Sequence, residues 1–101
     1  MKKNARKKSV LNPKVPVASA ECYFWVHYGP VLRDMKELRD ALKVMSQETF
    51  SYHVNSQKND FAHWVREALS APALAKTLET KKTKTLYWKT IDAHLKKHHS
   101  V

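Results

Sequence analysis

A chain of 101 residues fits one domain and not two. Hydrophobic residues make up 43% of it and aromatics 10%, which excludes a fully disordered protein. A net charge of +10 predicts a polyanionic partner or an anionic membrane surface, and a lone cysteine, Cys22, excludes an intrachain disulfide.

The charge is unevenly placed. Residues 1–20 hold Lys2, Lys3, Arg6, Lys7, Lys8 and Lys14 with no acid, a balance of +6. Residues 21–75 balance to −1. Residues 76–101 hold Lys76, Lys81, Lys82, Lys84, Lys89, Lys96 and Lys97 against Glu79 and Asp92, a balance of +5. A near-neutral folding unit with two basic ends is expected.

Taken in chain order, residues 1–19 read as a basic disordered tail, broken by Pro13 and Pro16. Their one apolar run, residues 15–20, is too short for a secretory signal, and no segment approaches the roughly 20 apolar residues of a bilayer span. The expectation is a soluble cytoplasmic protein. The run Cys22-Tyr23-Phe24-Trp25-Val26-His27-Tyr28 has the aromatic and β-branched character of a strand. Gly29-Pro30 marks a turn, after which Val31-Leu32 can close a hairpin. Gly29, the only glycine, is expected where the backbone needs positive φ or close packing. Asp34 and Glu37 have the spacing of a capping box, and Met35, Leu38, Ala41, Leu42 and Met45 recur at helical spacing. Ser46 can cap a second short helix through Phe50 and Val54. Phe61, Trp64, Val65, Ala68 and Leu69 form the stripe of a third. Ser70 and Pro72 restart the chain into a fourth with Leu74 and Leu78. Thr80 or Thr83 can cap a last helix, over about 82–98, through Tyr87, Ile91 and Leu95. The predicted fold is mostly α, a small α+β domain over residues 20–101 with four to five short helices and an amino-terminal strand or hairpin.

The segments Tyr52-His53-Val54-Asn55 and Asn59-Asp60-Phe61-Ala62, followed by Trp64, carry a resemblance. With Phe24-Trp25-Val26-His27, Gly29-Pro30 and Leu38-Arg39-Asp40-Ala41-Leu42, the chain resembles, over roughly residues 22–78, a family of small domains of unknown function. That family shows an aromatic strand, a Y-H-V-N segment and an N-D-F-A-x-W helix. The resemblance implies a shared fold and no particular activity, and both basic ends lie outside it.

Four constellations bear on chemistry. Lys82, Lys89 and Lys96 recur every seven residues, which on a helix sets them near one face, away from Tyr87, Ile91 and Leu95. With Lys81, Lys84, Lys97 and the amino-terminal cations they form the expected nucleic-acid-binding set. Lysine is a point charge without arginine's planar fork, so phosphate contact is expected more than base reading. The competing account of these lysines is a solubilising surface. His53 with Asn55, Asn59 and Asp60 can be read as an acid–base site, but helix capping and a buried hydrogen-bonded histidine joining two helices explain the same residues. His94 and His98, at i and i+4, supply two metal ligands where a structural zinc needs four. Tyr23, Trp25, Tyr87 and Trp88 could stack on unpaired bases if exposed, although such residues are more often packed. Cys22 reads as structural.

These readings converge on a small architectural or accessory nucleic-acid-binding protein, not an enzyme, without metal or cofactor. Duplex DNA is favoured, at the nucleoid if so, and the central domain can take a protein partner or self-associate. The alternative is a protein-interaction module whose basic ends only solubilise it.

Overall fold

The structure, a computed structural model, describes residues 17–99. Its chain path starts by closing a small hairpin. Strand β1 (Phe24–Trp25) runs antiparallel to β2 (Val31–Leu32), pairing Phe24 with Leu32 and Trp25 with Val31. The fold begins earlier than the sequence predicts. Val17 bridges Asp34 and the Ala18 amide donates to the Arg33 carbonyl at 2.8 Å, with Ala18 buried. Residues 17–19 therefore belong to the domain: Val17 and Ala18 pair beyond the end of β2, and the Ser19 carbonyl accepts from the Cys22 amide. The rest of the expected tail, residues 1–16, lies outside the described residues.

Gly29 does not take positive φ; Tyr28 does, at 57°. What fixes the glycine is space, since a Cβ there would sit 2.7 Å from Val26 Cγ1. The loop is closed by Val26 and Pro30, whose amide and carbonyl pair at 3.1 Å. Left-handed backbone disfavours any residue with a Cβ, so Tyr28 carries local strain.

Five α-helices follow: α1 (Met35–Val44), α2 (Gln47–His53), α3 (Asp60–Glu67), α4 (Pro72–Glu79) and α5 (Lys84–His99). Their starts follow the capping logic. Asp34 accepts from the Glu37 amide, Ser46 from Thr49, Asn59 from Ala62 and Thr83 from Leu86. Glu37 reaches back one residue farther than a regular capping box, to the Arg33 amide, and also pairs with its guanidinium. Thr80 instead closes the end of α4, its hydroxyl donating to the Thr77 carbonyl. Only α4 lacks a side-chain cap; Pro72 at its first turn has no amide to satisfy.

Helix α1 packs on α5, and α3 on α4. Tyr87, Ile91 and Leu95, one stripe of α5, are fully buried. The hairpin contributes Phe24, whose ring lies 5.1 Å from Phe61 and 5.6 Å from Trp64. Trp64 Nε1 donates to the Cys22 carbonyl at 2.6 Å, tying the chain before β1 to α3. Across the helices, Arg39 meets Asp92 at 3.2 Å with both side chains mostly buried. Among the described residues no helix is long and apolar enough to cross a membrane. The architecture is the small, mostly helical α+β fold that the sequence predicts.

Candidate functional site

The site grows from the turn between α2 and α3. Asn55 holds it: its amide donates to the Ser51 and Tyr52 carbonyls, ending α2, while its oxygen accepts from the Gln57 amide. Val54 and Asn59 then bridge, so the loop of residues 55–58 stands out from the surface. Asn59 caps α3 and donates to the Tyr87 hydroxyl at 2.6 Å, fixing this loop against α5. Burial pushes the Tyr87 phenol above its ordinary pKa, although the Asn59 hydrogen bond pulls the other way.

His53 lies beneath the loop, 4% exposed. Its Nε2 accepts from the His27 amide at 3.0 Å. That fixes the tautomer, so Nδ1 carries the proton and donates to Asp60 Oδ2, also at 3.0 Å. Burial lowers the pKa of His53, and Asp60 only partly offsets it. Burial pushes Asp60 up, but hydrogen bonds from Lys58 and His53 outweigh it and hold the carboxyl below its usual range. With both nitrogens engaged, His53 joins the hairpin, α2 and α3 and offers no free nitrogen to a substrate. Asn55 and Asn59 are likewise consumed by capping.

Above this hub, Asn55, Ser56, Gln57, Lys58, Lys81 and Lys82 surround a cavity of about 550 Å³. Its one acid, Glu79, is held by Arg66 at 3.0 Å. Lys58 reaches Asp60 at 2.9 Å, whereas Lys81 and Lys82 make no ion pair among the described residues. The cavity is therefore a basic cradle.

The remaining expected lysines do not form one surface. Helix α5 begins at Lys84, so Lys82 precedes it and leaves the seven-residue stripe for the cradle. Lys84 turns inward, its Nζ donating to the Met45 carbonyl at 2.6 Å, where it satisfies the end of α1. Lys89 is exposed without an acid partner among the described residues, and Lys96 pairs with Asp92 at 3.0 Å. Lys97 lies on the α4–α5 side beside His94 and His98, whose rings are 4.6 Å apart. Among the described residues no three His, Cys, Asp or Glu side chains converge as a metal site would need. Lys2, Lys3, Arg6, Lys7, Lys8 and Lys14 lie outside the described residues.

No family model, curated protein or solved structure matches the chain. The reading of the site therefore rests on its geometry.

A second concavity, about 580 Å³, lies between the hairpin loop and the α1–α2 corner. His27, Tyr28, Pro30, Val44 and Tyr52 line it, with Glu48 the only charged residue there among the described residues. Tyr28 is 94% exposed, while Trp25, on the outer strand face, is 76% exposed. Of the other aromatics expected as stacking candidates, Tyr87 is fully buried because it fills the core beside Phe50, and Tyr23 and Trp88 are half-buried. Sequence reasoning missed Lys58, which is hidden in the neutral segment's charge balance. It also missed Tyr28 and Tyr52, whose exposure depends on the turn and on the outer side of α2.

Proposed function

We propose that the chain binds nucleic acid through its phosphates, without reading sequence, as a small architectural or accessory protein of the cytoplasm or nucleoid. The observation that carries this reading is the basic cradle: Lys81 and Lys82 face it without an acid of their own, and Glu79 is neutralised by Arg66. Ammonium groups already paired gain little from a phosphate, whereas unpaired ones gain and release counterions. Lys89 and Lys97 add two more on α5, and the six amino-terminal cations extend the field. The break-up of the α5 stripe removes the argument for a lysine face laid along a duplex.

The test begins with purification at low salt. The chain should carry nucleic acid, seen as excess absorbance at 260 nm, that high salt removes. The double substitution Lys81→Glu/Lys82→Glu should reduce it without changing the circular dichroism spectrum. A chain that binds neither single strands nor duplexes at low salt would refute the proposal.

The aromatic concavity supports a second reading, an interaction module for a protein partner. Deleting residues 1–16, which leaves Val17 and Ala18 in place, and neutralising Lys81, Lys82 and Lys89 separates the two. Function that survives favours the module.

A further inference from the structure

Cradle and aromatic concavity are connected by a row of side chains. Lys58 lines the cradle, and its Nζ sits 4.3 Å over the centre of the Tyr52 ring. Tyr52 lines the concavity and stacks on His27, with centroids 3.8 Å apart and planes 6° from parallel. His27 in turn contacts Tyr28 at 4.2 Å. Tyr52 is engaged by a cation and by a ring, so the open end of the row is Tyr28, 94% exposed. The row is not held by chance: the His27 amide is pinned by His53 and the Thr49 hydroxyl donates to the His27 carbonyl.

From this continuity we infer that the site takes an unpaired nucleic-acid strand, its phosphates in the cradle at Lys81 and Lys82 and a base stacked on Tyr28. The inference rests on the phosphate-binding reading and deepens it. Single strands are bound by basic grooves interleaved with aromatic platforms, because every base has a face to stack while a duplex hides its own. The cradle's charge matches the backbone, and the concavity's apolar rings match the base.

The test uses the full chain and fluorescence anisotropy with labelled oligo(dT), oligo(U) and a duplex of equal length. Oligo(dT) should bind more tightly than the duplex. Tyr28→Ala should weaken oligo(dT) about tenfold and leave the duplex unchanged, whereas Tyr28→Phe keeps wild-type affinity. Tyr28 contributes almost nothing to the core, so equal melting temperatures check that both variants fold. Duplex binding as tight as oligo(dT), or a Tyr28→Ala effect equal on both, overturns the stacking inference while salt-sensitive binding leaves the phosphate reading standing. Oligo(U) should bind as oligo(dT) does, because neither stacking nor phosphate contact reads the sugar, and oligo(U) bound no better than the duplex overturns the stacking inference. Failure to bind any probe overturns both.

Discussion

Replacing His53 by alanine removes a buried side chain with both ring nitrogens engaged from the centre of the domain. Three losses follow from its surroundings. The His27 amide loses its acceptor in a partly buried place, worth about 1–3 kcal/mol. The ring also leaves a gap against Phe24 and Phe61, whose centroids lie 4.9 and 5.0 Å away. Asp60 loses a donor but keeps Lys58. Together the cost should be about 3 kcal/mol, within the range of large-to-small core substitutions. For a domain of this size that lowers the melting temperature by upward of about 12 °C. Thermal melts followed by circular dichroism at pH 7.5 measure it. The penalty should also depend on pH. The folded state holds the His53 pKa below its ordinary 6.5, so the unfolded chain binds the proton more readily. Stability from the neutral ring is complete above about pH 6.5 and is lost as pH falls through the folded-state value. The gap between wild type and His53→Ala should therefore narrow from pH 7.5 to pH 5. A gap of under about 1 kcal/mol at pH 7.5, or one that widens on acidification, would refute the hub described for His53.

Three further substitutions probe the scaffold. Gly29→Ala forces its new methyl against Val26 Cγ1, and should destabilise by about 1–3 kcal/mol in urea titrations. Asn59→Ala removes the cap of α3 and the partner of the buried Tyr87 hydroxyl, and should cost about 2 kcal/mol, read from urea titrations followed by circular dichroism. Ser70 sits at φ 55°, so Ser70→Gly should raise stability by about 1 kcal/mol, read as a higher melting temperature.

Much of the fold is legible in the residues themselves. Helical stripes such as Phe61, Trp64 and Val65 and caps such as Asp34, Ser46 and Asn59 are local signals, and each appears where its spacing puts it. The hairpin is legible from its aromatic run and from Gly29-Pro30. What spacing does not carry is where a helix begins when several caps compete. Choosing Thr83 over the positions before it moved the start of α5 to Lys84, and two residues were enough to take Lys82 off the helix. The pairing of Val17 and Ala18 with the end of β2 is non-local and leaves no period in the chain. The candidate site was half legible. His53 as a buried bridging residue and Asn59 as the cap of α3 are legible, whereas Asn55 ends α2 and Asp60 accepts from His53 and Lys58 in place of the helix-start caps that the spacing suggests. The cradle, by contrast, draws Lys58 from one turn and Lys81 and Lys82 from another more than 20 residues away, and charge counts along the chain separate what the fold joins.

The measurement closest to the central claim is the salt dependence of DNA binding by the full chain. Two phosphates neutralised by the unpaired Lys81 and Lys82 give a slope of log affinity against log salt of about −1.4 on a single strand, steeper if the amino-terminal cations take part. Lys81→Glu/Lys82→Glu should make that slope shallower by more than about one. An affinity that does not change with salt, or a slope that the double substitution leaves untouched, would contradict the phosphate cradle.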